Sequence, residues 1–520
     1  MDYYLILVIA LLIIAAADLI VGVSNDAVNF LISAIGSKVA SKKVILAIAA
    51  LGVFAGATFS SGMMEVARKG IFNPEFFSFA DVMVIFLAVM ITDIILLDLF
   101  NTLGLPTSTT VSIVFELLGA SVATGLLALS ANPDIADSIW DLINSEKATQ
   151  IIAGIFLSIG VAFSIGAIAQ FFTRLLFTFR YEERLKKYGA LFAGFAISII
   201  VYFMLVKGIK GATFATKEIT EAITGNSVAL VGTTFLVSTL IVFILQRAFR
   251  VNPLKIVVLL GTFSLAMAFA GNDLVNFIGV PIAGYQAYGM WMDSSMEAAY
   301  FTMETLKEPV RTPSYMLYGA GFIMVLTLWF SSKARKVTST SVDLGTQGSV
   351  NERFKPNLLS LRIVSYANSF TKFYDKVMPR RTIAIINWRF RSLRSVDQNQ
   401  PAFDLVRASV NLMIASILIA FASSLKLPLS TTYVSFMVAM GASLADRAWG
   451  EGSAPYRVAG VVNVIGGWFL TAAGAFTAAA LVATAIFFGG FWMAIALVFV
   501  AFFILGRTNF PGLFKKNKPL

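Results

Sequence analysis

The chain reads as an all-α polytopic membrane protein built from two inverted-topology repeats. Three observations predict this. Apolar runs long enough to cross a bilayer, roughly 20 residues each, recur along the sequence. The same two polar motifs occur twice, in the same order, inside those runs. If each run crosses once, every basic loop falls on one face of the membrane, as the positive-inside rule requires.

Composition bounds the rest. Hydrophobic residues make up 58% of the 520 and charged residues 13%, with a mean hydropathy of +0.81. A soluble domain carries about 25% charged residues. Cysteine and histidine are both absent. That removes disulfides, thiol chemistry, histidine metal sites and histidine proton relays.

The apolar runs lie at 4–23, 44–60, 80–100, 105–128, 149–172, 189–206 and 228–246, then at 254–271, 314–331, 405–424, 427–445, 457–486 and 489–506. The first run follows Asp2 rather than a basic stretch, so it reads as a span and not as a cleaved signal peptide. The runs that begin at Leu105 and Leu427 open with a Pro-x-Ser-Thr-Thr motif and read as broken or hairpin helices. About 12 transmembrane helices are expected. Basic loops at 37–43, 173–188, 246–255 and 333–400, with Lys515, Lys516 and Lys518, sit on one side. The acidic loops 132–147 and 290–308 sit on the other. The N-terminus is then outside and the C-terminus inside.

Four stretches follow. Residues 1–250 form a first membrane half containing the first repeat, and 251–332 begin the second. Residues 333–404 are a basic cytoplasmic insert, and 405–520 complete the second repeat with a C-terminal helix. Residues 333–400 carry 13 Lys/Arg and 4 Asp/Glu, which supplies +9 of the net +11. Residues 338–357 are rich in Ser, Thr and Gly and read as a flexible loop. Residues 358–394 mix Leu, Ile, Phe, Tyr and Trp388 with Arg and Lys. That pattern suits an amphipathic stretch on anionic lipid or an ordinary cytoplasmic loop, and no nucleic-acid partner is expected. The insert also explains unequal spacing. Asn25 to Ser108 is 83 residues and Asn272 to Ser430 is 158, a difference of 75.

The motifs carry the chemistry. Asn25-Asp26-Ala27-Val28-Asn29 precedes Pro106-Thr107-Ser108-Thr109-Thr110. Asn272-Asp273-Leu274-Val275-Asn276 precedes Pro428-Leu429-Ser430-Thr431-Thr432. Gly119-Ala120-Ser121 and Gly441-Ala442-Ser443 stand at equal distances after Ser108 and Ser430. Pro followed by Ser or Thr commonly starts a helix. A helix start presents unpaired N–H groups and the positive end of a dipole. With the Ser and Thr hydroxyls it makes a cradle for an oxyanion. Two such starts from opposite sides would enclose a small tetrahedral anion, held without a basic clamp.

Asp26 and Asp273 would repel that anion unless cations lie between. Carboxylate and carboxamide oxygens are hard ligands suited to Na⁺. The spacing puts Asn25 and Asn29, and Asn272 and Asn276, one helical turn apart. Protons are the alternative counter-charge. Asp18 lies two turns before Asn25 and is a candidate for the cation site. Asp93 and Asp98 read as facing a cavity or a polar partner, and Glu116 has no assigned role. None of these four has a counterpart in the second half, where Leu265, Ala415, Ala420 and Val438 align.

These residues resemble the inorganic phosphate transporter (PiT) family of sodium/phosphate symporters. Its hallmark is a duplicated Gly-x-Asn-Asp-x-x-Asn signature with Pro-x-Ser-Thr-Thr downstream of each copy. The resemblance covers both membrane halves outside the insert. It implies phosphate import by cation symport, most simply with Na⁺, through alternating access. It implies phosphate on Ser108, Thr109, Thr110, Ser430, Thr431 and Thr432, with Asn25 and Asn272. It implies Na⁺ on Asp26, Asn29, Asp273 and Asn276, with Asn25 and Asn272 again. A homodimer in the cell membrane, plasma or inner, and no organic cofactor are further implications. The chain departs from the family at Ser24, at Val28 and Val275, and at Val111 and Tyr433, where histidine is frequent. Proton-coupled phosphate transport and another tetrahedral oxyanion such as sulfate are rival readings. An enzyme using Asp93 and Asp98 as a carboxylate pair is a third; the chain is expected not to be an enzyme.

Because the chain has no cysteine, its topology is directly testable. Ser138→Cys is expected to react with an impermeant maleimide from outside the cell, and Ser369→Cys only after permeabilisation. The opposite labelling would invert the topology.

Overall fold

The computed structural model describes residues 3–60, 70–204, 221, 225–308, 312–345, 355–391, 401–448 and 454–509. Lys515, Lys516 and Lys518, residues 205–206 of one apolar run, 346–354 of the predicted flexible loop and 392–394 of the basic stretch lie outside the described residues.

The described chain is helical. In the first half, α1 is Tyr3–Asp26, α2 Val28–Gly36, α3 Lys42–Phe59, α4 Phe79–Leu103, α5 Thr109–Ala131, α6 Ser145–Phe177, α7 Tyr181–Tyr202 and α8 Ser227–Ala248. In the second, α9 is Pro253–Met292, α10 Ser314–Phe330, α11 Ser332–Gly345, α12 Leu358–Val377, α13 Arg380–Arg389, α14 Leu405–Ser424, α15 Thr431–Ala445 and α16 Ala454–Asn509. Among the described residues, nine helical segments are long and apolar enough to cross a membrane, or ten with the bent pair α10–α11. This is a multi-pass membrane protein.

Each apolar run falls on helix where it is described, with two differences from the sequence reading. Runs 457–486 and 489–506 remain two helical segments, grouped here as α16 and parted at Gly490, whose φ of 58° and ψ of −148° are not helical. The runs ending at 23 and 271 continue as helix well past the Asn-Asp motifs, to Gly36 and Met292. Their polar residues lower the hydropathy but face protein rather than lipid, so the helix has no reason to stop. Part of the predicted flexible loop is helical, as α11.

Helix starts follow side-chain capping. Ser78 and Asp81 make a reciprocal capping box at α4. Asn144, Asn252 and Asp404 accept backbone N–H groups at α6, α9 and α14. Each cap satisfies a donor that would be costly to leave unpaired in an apolar medium.

Two helical hairpins, α4–α5 and α14–α15, carry the Pro-x-Ser-Thr-Thr motifs at their tips. Helices α1 and α9 cross and lie against α4 and α14 respectively. The helix that follows each hairpin packs on the other hairpin: α6 runs along α15, and α16 runs along α5. The duplicated Gly-Ala-Ser triplets sit at these contacts. A Cβ on Gly119 would collide with the Phe476 carbonyl of α16, and one on Gly441 with the Phe163 carbonyl of α6. Small residues let helix backbones approach this closely in lipid.

Arg174 of α6 fastens the base of the second hairpin. Its guanidinium donates twice to Asp404 (2.8 and 3.0 Å), twice to Asp446 (2.7 and 2.8 Å) and once to the Thr178 carbonyl (3.1 Å). All five of its N–H donors are used. Arg407 adds a second positive charge, 3.3 Å from Asp446. The four charges balance within a fully buried cluster, and removal of one partner would leave an uncompensated charge.

Gly119→Val and Gly441→Val should each destabilise the protein by about 1–3 kcal/mol through overpacking. Gly474→Val, where a Cβ meets nothing within 4 Å, should stay within about 0.5 kcal/mol. Unfolding midpoints of the detergent-purified chain check this, and equal midpoints for all three would refute the close-contact role.

Candidate anion and cation site

The two Asn-Asp motifs lie within helix. Ala27 keeps helical φ/ψ of −54° and −28° between α1 and α2, and the α9 motif lies in mid-helix. Positions 25, 26 and 29, and likewise 272, 273 and 276, therefore share a face. Helix crossing brings these faces toward the hairpin tips.

Asn25 and Asn272 brace the tips. Asn25 Nδ2 donates to Asn101 Oδ1 (2.8 Å) and to the Leu105 carbonyl (3.1 Å), and its Oδ1 accepts from Thr107 N (2.9 Å). Asn272 Nδ2 donates to the Leu429 carbonyl (2.7 Å), and its Oδ1 accepts from Ser423 Oγ (3.2 Å). The extended segment ahead of each helix start thus finds partners that helix cannot give it. Asn272 Nδ2 also donates to Asp273 Oδ1 (3.1 Å).

Ser108 and Ser430 are N-caps. Their hydroxyl oxygens accept from Val111 N (3.2 Å) and Tyr433 N (3.1 Å). Each hydroxyl keeps its own proton to give. The helix-start reading and the donor reading of this motif are therefore compatible in one geometry.

The threonines join the halves. Asp26 accepts from Thr109 of the first hairpin (2.8 Å) and Thr432 of the second (3.1 Å). Asp273 accepts from Thr110 of the first (2.8 Å) and Thr431 of the second (2.5 Å). Asn29 donates to Thr431 and Thr432 (3.2 and 3.0 Å), and Asn276 to Thr109 and Thr110 (3.2 and 3.0 Å). Every threonine thus takes a hydrogen bond from an asparagine and gives one to an aspartate. Asp26 and Asp273 are wholly buried, and neither has a hydrogen bond or ion pair to Lys or Arg among the described residues. Ionised carboxylates at such depth call for a cation or a proton.

The remaining acids divide. Asp98 pairs with Lys333 (2.6 Å) and accepts from Thr508 (2.6 Å). Asp18, Asp93 and Glu116 are fully buried on α1, α4 and α5, and Ser112 donates to Glu116 (2.8 Å). The surroundings of Asp93 and Asp98 thus differ. Sequence reasoning missed Asn101, which donates to the Val21 carbonyl (2.7 Å) while holding Asn25. It also missed Ser331, which shares a hydrogen bond with Ser24 (2.7 Å). Neither carries a local signal; both act through contacts distant in sequence.

The chain is similar to several known proteins. A chain from Thermococcus kodakarensis named "Putative phosphate permease TK2061" is 27% identical over 286 residues, 52% of this chain and 64% of that one. A Helicobacter pylori (strain J99) chain named "Putative phosphate permease" is 24% identical over 339 residues, 62% of this chain and 58% of that one. The chain thus spans somewhat under two thirds of the length of the curated relatives it matches. A solved structure titled "The sodium-dependent phosphate transporter" superposes with a TM-score of 0.63 at 18% identity, covering 92% of this chain and 98% of that one; this likeness concerns the fold. The sequence profile of the Phosphate transporter family matches residues 22–341, a stretch that holds both Asn-Asp motifs and the first hairpin, and the chain belongs to that family.

Proposed function

We propose that this protein is a secondary transporter that imports inorganic phosphate together with Na⁺ by alternating access between two inverted repeats. The observation that carries the reading is the reciprocal exchange of hydroxyl hydrogen bonds. Four threonines from two helix starts converge on two carboxylates, with no basic side chain among them. Family membership and the sodium-dependent structural relative support the choice of ions.

The geometry suggests an order of events. A threonine hydroxyl has one proton, and here each is given to a carboxylate. A Na⁺ seated on the Asp26 and Asp273 oxygens would take threonine lone pairs as further ligands. The hydroxyl protons would then turn away from the metal, toward the helix starts. Together with the Ser108 and Ser430 hydroxyls they would become donors to phosphate. Cation binding thus builds the anion site, and the anion in turn completes the charge balance. Import against an inside-negative potential costs about 2.3 kcal/mol per charge per 100 mV, which co-transported Na⁺ offsets.

Around this core we place the protein in the cell membrane as a homodimer. Helices α12 and α13 would lie on the cytoplasmic lipid surface. Leu358, Leu359, Tyr366 and Trp388 are exposed there, beside Arg362, Lys376, Arg380 and Arg381. That is the composition of an interfacial helix on anionic headgroups.

Phosphate uptake into proteoliposomes tests the proposal. Thr109→Val and Ser430→Ala should each lower initial uptake by roughly 10–100-fold, the loss of one hydrogen bond to a charged group. Replacing Na⁺ with K⁺ or choline should abolish uptake in the parent chain, and sulfate in excess should not compete. Uptake that persists in choline at pH 6 but not at pH 8 would favour proton coupling. Competition by sulfate would reassign the substrate.

A further inference from the structure

We propose that the cavity between α2, α3, α10 and α11 is a binding site for the headgroup of an anionic phospholipid. It has a volume of about 470 Å³. Ile45, Leu328 and Trp329 are among its apolar walls, and Lys38, Lys42 and Arg335 are its charged lining. Among the described residues, no Asp or Glu lines it. Three cations over an apolar floor complement a phosphodiester followed by acyl chains, and they complement neither a neutral lipid nor a cation.

The depth of the site agrees. The basic loop 37–43 and the start of the insert fall on the same face of the membrane by the positive-inside rule. Helix α10 bends by 67° into α11, so the chain leaves the hydrocarbon at this level. Trp329 stands at that bend, where aromatic side chains favour the boundary between tails and headgroups. The cavity thus straddles the boundary a phospholipid itself straddles. Helix α3 begins at Lys42 with no side-chain cap on its first N–H groups, which adds backbone donors beside a phosphate.

The site has a route to the transport centre. Helix α11 is one of its walls. Ser331, just ahead of α11, bonds Ser24, next to Asn25 (2.7 Å). Lys333 pairs with Asp98 of the first hairpin (2.6 Å). Val337 is fully buried against Val28 and Ile32, which flank Asn29. A lipid that ties Arg335 to Lys38 and Lys42 would hold α11 down over the first Asn-Asp motif.

The test uses the full chain in liposomes and reads lipid binding, so it is independent of whether phosphate is the transported anion. Trp329 fluorescence is taken as the parent signal minus that of Trp329→Phe. Brominated phosphatidylglycerol should quench it at mole fractions on the order of a hundredfold below those needed for brominated phosphatidylcholine, as expected for three basic residues at an anionic surface. Lys38→Gln/Lys42→Gln/Arg335→Gln should remove that preference, and Arg335→Gln alone should reduce it. Equal quenching by both lipids in the parent chain would overturn the proposal. So would an undiminished preference in the triple variant. Relief of quenching by millimolar inorganic phosphate would reassign the cavity to a soluble anion and also overturn it.

Discussion

Two carboxylates buried in the membrane with no basic partner set the terms for the rest of the structure. Asp26 and Asp273 are inaccessible to solvent. An ionised carboxylate taken out of water loses several kcal/mol even after relaxation. The chain answers with hydroxyls rather than with lysine or arginine. Under the proposed function that choice would let the site exchange its counter-charge, because a neutral donor can turn away when a cation arrives, whereas a buried guanidinium would stay.

The hydroxyl answer dictates geometry. Four threonines reach two aspartates only if both hairpin tips meet at the same depth and face the crossing of α1 and α9. Asn25 and Asn272 hold the extended segments that make this possible. At the other end of the second hairpin, Arg174 locks Asp404 and Asp446 together. The charged clamp and the neutral site divide the work. Fixed charges secure the base of the hairpin, and rotatable hydroxyls occupy its tip.

Much of this was legible in the sequence. The duplicated motifs, the helix starts at Ser108 and Ser430, and the one-turn spacing of Asn25 and Asn29 follow from local chemistry. What stayed hidden was who meets whom. Asn29 bonds threonines about four hundred residues away, and no periodicity reveals that each aspartate serves both hairpins. Hydropathy also ended the first and eighth runs at the Asn-Asp motifs, since it scores a residue against lipid. In the fold those residues touch protein, so the helices continue. Arg174 was read as part of a basic loop, because burial with two acids from elsewhere leaves no trace in its neighbours.

The exchange of α6 and α16 between hairpins bears on how the molecule comes to be made. Among the described residues, the flank of α5 that carries Gly119 packs against α16, which is synthesised after the second hairpin. Until then the first hairpin must sit in the bilayer with that groove filled by lipid tails, which its small residues tolerate. Its partner Asp26 meanwhile lacks Thr432, so the nascent first half holds a poorly satisfied acid. The first hairpin and Asp26 are therefore completed only by elements made later, α16 for the one and α15 for the other, so disruption of either should harm the half that was synthesised first.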